Sequence, residues 1–146
     1  MKRFLLFALV FALTLAACVP KAESPAGDAL KVSDGTVSKI YTVADLQTLG
    51  ATEASFNGVT YVGVTLTVLL QDAGIDSTNL TAVKAVASDG FTVNYDASLY
   101  AKEDTIVAYA TVDSAMSADD GIFRMVLPDQ EGKLNPRQLV EIIAIP

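Results

Sequence analysis

Residues 61–74 read Tyr61-Val62-Gly63-Val64-Thr65-Leu66-Thr67-Val68-Leu69-Leu70-Gln71-Asp72-Ala73-Gly74. Leu66, Leu69, Leu70 and Ala73 fall on one face at helical spacing, so a short helix is predicted over 66–73, and Gly74 supplies its stop. Just upstream, Asn57-Gly58 is a two-residue hairpin signal between an extended stretch at 52–56 and another at 59–62. One window therefore holds both strand and helix, and the rest of the chain is read outward from it.

Towards the N-terminus, Thr42-Val43-Ala44-Asp45 has capping-box spacing, with Asp where Glu is usual. Leu46 and Leu49 follow and Gly50 is a C-terminal stop, so a helix is predicted over 43–49. Asp34-Gly35 is a turn between two short extended stretches, the second reaching Tyr41. Towards the C-terminus, Val83, Ala85 and Ala87 alternate with Lys84, Val86 and Ser88. Asp89-Gly90 then turns the chain into a strand at 91–95. The β-branched run 105–112 reads as a central strand, 113–121 as a polar loop and 122–127 as a strand halted by Pro128. Gln130-Glu131-Gly132 turns the chain into a last strand at 138–145. Many short strands with two or three short helices predict an α+β fold. The helices are too few to cover both faces of a doubly wound parallel sheet.

The chain has 146 residues, a net charge of −7, one cysteine, no histidine and no tryptophan. Without imidazole there is no Ser-His-Asp or Cys-His catalysis and no histidine-held zinc or haem. One cysteine makes no internal disulfide, iron–sulfur site or CxxC pair. The acidic balance argues against nucleic acid as a partner, which would need a basic face.

Residues 1–17 read as a lipoprotein signal peptide. Lys2 and Arg3 give a positive start, and an apolar run follows that is shorter than the ~20 residues of a bilayer-spanning helix. The run ends Leu15-Ala16-Ala17-Cys18, which looks like a bacterial lipobox, with Cys18 as the thiol that takes lipid. The other readings are a plain signal peptide in which Cys18 is incidental and, behind it, a retained membrane helix. Two or three acyl chains, at ~0.8 kcal/mol per buried CH₂, would anchor the protein firmly to a membrane. Val19 lacks the aspartate that retains lipoproteins at some inner membranes, so the outer membrane is expected in a two-membrane cell. Residues 18–29, with two prolines and small residues, read as the lipidated cysteine and a flexible tether. Residues 30–146 are one domain by length, large enough to bury its own core.

The order of landmarks resembles the molybdopterin-dependent oxidoreductase (sulfite oxidase-type) domain family. Tyr61-Val62-Gly63-Val64-Thr65-Leu66, Leu69-Leu70 and Ala73-Gly74 resemble its W/Y-x-G-v-x-L-x-x-L-L-x-x-a-G segment. Asp89-Gly90-Phe91 is similar to its D-G-Y/F turn, and Ile106 to Tyr109 to its "ilAy" strand. Gly121, Arg124, Val126 and Pro128 resemble its G-x-P-x-R-x-v-x-P segment. Gly132, Arg137, Leu139 and Ile142 resemble its G-x-x-x-x-K-W-L run. The likeness covers residues 55–146 and implies the family's fold.

The resemblance also implies a molybdopterin whose metal is held by a protein cysteine thiolate, with histidine and arginines around the pterin phosphate. This chain departs from that set. Its only cysteine is the lipid-bearing Cys18, so no thiolate is left in the domain to supply the soft ligand. The family's pterin-contacting lysine is Arg137 here, and its neighbouring tryptophan is Gln138. One residue is missing between Gly121 and Arg124, and the N-terminal part is shortened. The expectation is therefore the fold without bound cofactor or metal.

The candidate ligand-binding residues are Arg124, Arg137, Asp89 and Tyr109. Arg124 lies among apolar neighbours and reads as an anion-binding residue or as a surface residue beside Asp119 or Asp120. Arg137, after Pro136, reads as exposed. Asp89 either borders a pocket or only caps its own turn. Tyr41, Tyr61, Tyr95, Tyr100 and Tyr109 line a cleft or pack half-buried with wet hydroxyls. Asp113, Asp119, Asp120 and Glu103-Asp104 lack calcium-loop spacing and read as solvated charges. The leading expectation is a non-catalytic, lipid-anchored extracytoplasmic module that binds a small molecule or an envelope redox protein. The alternatives are a cofactor-binding oxidoreductase subunit and a structural or adhesive surface lipoprotein.

Overall fold

The computed structural model describes residues 28–146. The leader at 1–17, the lipidation residue Cys18 and nearly all of the tether lie outside the described residues. Nine strands are present: β1 (Leu30–Ser33), β2 (Ser38–Tyr41), β3 (Thr52–Phe56), β4 (Val59–Thr65), β5 (Ala82–Ala87), β6 (Thr92–Tyr95), β7 (Ile106–Thr111), β8 (Arg124–Val126) and β9 (Leu139–Ile145). Three short helices accompany them: α1 (Val43–Thr48), α2 (Leu66–Asp72) and α3 (Ala97–Tyr100). The α+β expectation matches this architecture.

The local signals act as expected. Both halves of the Thr42/Asp45 capping box form, and α1 buries Leu46. Asn57 and Gly58 both take positive φ (50° and 78°), the geometry a two-residue hairpin demands. α2 starts directly on the end of β4 and closes in a Schellman motif. Gly74, at φ 80°, donates to the Gln71 carbonyl and Ile75 donates to that of Leu70. α3 was not expected from the sequence. Its signal was Asp96, whose carboxylate accepts from the Ser98 amide.

The strands form two sheets. One has five strands in the order β2-β1-β9-β5-β6, and the other has four in the order β3-β4-β7-β8. Among the described residues only β1 and β9 pair in parallel. Both sheets carry a bulge: Tyr109 is the unpaired extra residue where β7 meets β4, and Val140 where β9 meets β5. The main core fills the space between the five-stranded sheet, the helices and one face of the four-stranded sheet, where Val64, Val107 and Met125 point inward. Ala54, Tyr61, Ile106, Ala108 and Val126 form a second apolar cluster on that sheet's opposite face.

Two expectations need correction. The strand foreseen over 122–127 is only 124–126, because Phe123 gives its carbonyl to the Leu139 amide at the start of β9. The tyrosines at 41, 61, 95 and 100 are not half-buried with wet hydroxyls. Their hydroxyls are satisfied inside the protein: Tyr41 donates to Asp72, Tyr95 to the Leu134 carbonyl and Tyr100 to the Ser77 carbonyl. Burial raises the Tyr95 phenol well above its ordinary range, and burial plus the Asp72 carboxylate does the same to Tyr41.

Several carboxylates are held below the usual 3.8. Asp72 is lowered by the Lys39 ammonium and the Tyr41 hydroxyl. Asp34, Asp45 and Asp76 are lowered chiefly by backbone amides, and Asp96 by the Ser98 hydroxyl. Each such group binds fewer protons folded than unfolded. Its stabilisation is therefore complete above the unfolded value and is lost as pH falls through the folded one. The urea midpoint is expected to be flat from pH 7 to about pH 5 and to fall steeply below about pH 4. A midpoint that rises on acidification to that range contradicts this.

Candidate functional site

The two sheets are stitched together by residues 135–139. Met125 donates to the Pro136 carbonyl at 3.0 Å, Leu139 to Phe123 at 2.8 Å, Gln138 to Asp120 at 2.7 Å and Ser88 to Gln138 at 2.9 Å. Gly121 takes φ 79° at this seam. A Cβ there would lie 2.8 Å from the Gln138 Cα, so only glycine lets the 120–121 turn meet the 138 backbone. Gln138 itself takes a positive φ of 49°.

Along this seam runs a cleft. One part, about 490 Å³, is lined by Asp89, Phe91, Asp119, Pro136, Arg137 and Gln138. A second part, about 380 Å³, is walled by Phe56, Asn57, Tyr61, Asp120 and Arg124. Asp119, Gly132, Asn135 and Arg137 line both parts, so the two are contiguous. These are sizes suited to a small molecule.

Arg124 is 4 % exposed, which overturns the surface reading. It points to the face of the four-stranded sheet that carries the second apolar cluster. Its Nη1 donates to Asp120 Oδ1 at 2.5 Å and to the Tyr61 hydroxyl at 2.8 Å. Its Nε and Nη2 reach the carbonyls of Met125 and Asn135, both at 3.3 Å. The guanidinium also lies over the Tyr61 ring at 4.7 Å and the Phe56 ring at 5.5 Å. The anion that Arg124 needs is thus the chain's own Asp120, itself held by Ser117 Oγ at 2.9 Å. Asp120 is accordingly a buried structural partner rather than a solvated loop charge.

The structure brings Asp89, Arg124 and Arg137 to the walls of one cleft. Arg137 is exposed as expected, and Asp89 holds its own turn through the Phe91 amide while bordering the cavity. Tyr109 is not a cleft residue. As the bulged residue of β7 it packs half-buried against the main core. Asn135 was missed: it is 3 % exposed, accepts from the Leu127 amide at 2.6 Å and donates to the Glu131 carbonyl at 3.1 Å. The Asn135-Pro136 dipeptide was a turn signal, but nothing local told that its amide would be buried.

Two sheets around a shared core, sealed at one seam beside a polar cleft, define an α+β domain with a cleft of ligand size. The chain belongs to the oxidoreductase molybdopterin binding domain family, whose model matches residues 31–145. Its fold is similar to the sulfane dehydrogenase SoxCD from Paracoccus pantotrophus, with 18% identity and a TM-score of 0.68. That similarity covers 82% of this chain and 39% of the SoxCD chain, so this chain spans well under half of that structure's length. No curated protein matches the chain.

The residues around the cleft do not fit the cofactor that the family's name implies. Residues 28–146 hold no cysteine and no histidine, and their only sulfur donors are the thioethers of Met116 and Met125. Among the described residues no three side chains of the metal-binding kinds converge. Charge tells the same way. Asp89, Asp119 and Asp120 outnumber Arg124 and Arg137 on the cleft wall, and Arg124 is already neutralised, which disfavours an anionic pterin phosphate.

Proposed function

We propose that this protein is a ligand-binding derivative of the molybdopterin oxidoreductase fold, with no molybdenum chemistry of its own. It works outside the cytoplasm, held to a membrane by lipid on Cys18, and takes a small molecule or an envelope redox partner at the seam cleft. The observation that carries this reading is the donor set: the domain offers neither thiolate nor imidazole, and its buried arginine is matched by its own aspartate.

The test is to purify the protein from a host that makes molybdopterin, then to measure molybdenum by elemental analysis and released pterin by fluorescence. Both are expected far below stoichiometric. Stoichiometric molybdenum or pterin overturns this reading and establishes the oxidoreductase-subunit alternative, which family membership favours. The anchor is tested separately. Cys18→Ala is expected to release the protein from salt-washed membranes or to leave its leader uncleaved. Identical membrane fractionation of variant and parent overturns the lipid reading.

A further inference from the structure

Arg137, Asp119 and Asp89 face one cavity with charges that the fold leaves unspent. Elsewhere ion pairs join Lys31 to Glu141, Lys39 to Asp72 and Lys133 to Glu131, while Lys84, Lys102 and several surface carboxylates have no ion-pair partner among the described residues. The buried Arg124 is paired with Asp120. Among the described residues, neither Arg137 nor Asp119 joins an ion pair, although both line both parts of the cleft. Asp89 gives one oxygen to the Phe91 amide and keeps the other. Phe91, 46 % exposed, lies in the same wall.

We propose that the cleft binds a small amphoteric ligand of amino-acid type, with one carboxylate and one or two amino or guanidino groups. This deepens the reading above and rests on it. Arg137 meets the carboxylate through its planar fork. Asp119 and Asp89 meet the cationic end, and Phe91 covers it by cation–π contact. Once Arg124 and Asp120 cancel, Asp89 and Asp119 outweigh Arg137 by one negative charge, so the cleft selects a ligand that is net neutral or cationic. A dicarboxylate or a phosphate ester is selected against. The part lined by Asp89 and Phe91, about 490 Å³, suits a ligand of this size.

The test is isothermal titration of the detergent-purified full chain. The probes are L-arginine and L-lysine, with acetate and n-butylamine as single-charge controls. Saturable binding of L-arginine or L-lysine is expected with Kd below ~1 mM, and neither control should saturate in that range. Arg137→Gln and Asp119→Asn, both at exposed positions that leave the core untouched, should each weaken binding by ~10-fold or more. The two variants should also differ. Arg137→Gln should abolish the advantage of L-lysine over n-butylamine, and Asp119→Asn the advantage of L-lysine over acetate. The proposal is overturned if neither amino acid binds, if a control binds as well, or if both variants bind like the parent. Its failure leaves the non-molybdenum reading intact, because molybdenum and pterin content decide that one independently.

Discussion

Replacing Arg124 with methionine lowers the stability of the domain by about 3–5 kcal/mol, the cost of leaving a buried charge without its partner. Methionine keeps much of the packing volume between Phe56 and Tyr61, so the loss reports chiefly on Asp120. That carboxylate would retain only Ser117 Oγ as a side-chain donor. For a domain of this size the change corresponds to a fall in Tm of ~10–20 °C. Asp120→Asn in the same chain should restore most of the loss, because an amide tolerates the missing cation. The double-mutant cycle should return a coupling of ~2 kcal/mol or more. Arg124→Lys should fall between, since one ammonium cannot replace a fork that reaches Asp120, Tyr61 and two carbonyls. If Arg124→Met costs less than about 1 kcal/mol by urea denaturation, the pair contributes no more than a surface ion pair and this account of the cleft wall fails.

Gly63→Ala is the second change with a large expected effect. A Cβ at this position would lie 2.7 Å from the Ala108 Cα and 2.7 Å from the Val107 carbonyl carbon. It would press hardest on the Val107 carbonyl oxygen. These are backbone atoms of β7, in the bulged pair where Tyr109 is the extra residue, so no side chain can swing aside. Relief requires β4 and β7 to separate at the centre of the four-stranded sheet. The cost is expected to be at least ~3 kcal/mol, the upper end of overpacking penalties. Gly90→Ala is the control. Gly90 has φ 86° with nothing within 4 Å, so alanine meets backbone strain alone and should cost ~1–2 kcal/mol. Equal Tm losses for the two variants would show that the close approach at Gly63 does not limit the fold.

The same two residues mark how far the sequence could be read. Gly63 stood in a segment with a recognisable order of glycine and leucines, yet the reason for it is a neighbouring strand 44 positions later in the chain. Arg124 was singled out because an arginine among apolar residues needs an anion. The sequence placed Asp120 nearby but left open whether the pair sat in water or in the interior. Tyr109 and Asp89 looked alike as candidates. The fold sent one into a bulge against the core and the other to the cleft rim.

By itself the sequence determined what acts over two to five residues: the Thr42–Asp45 box, the Asn57-Gly58 turn, the stop at Gly74 and the alternation of β5. It also determined what composition forbids, since no folding can create a thiolate or an imidazole that the domain lacks. Only the tertiary structure decided the parallel pairing of β1 with β9, the seam at residues 135–139 and the match of Arg124 to Asp120. Local hydrogen bonds are specified by neighbours that chain connectivity already holds close. Sheet order and charge burial depend on which distant surfaces exclude water together, and that is settled only when the whole core closes.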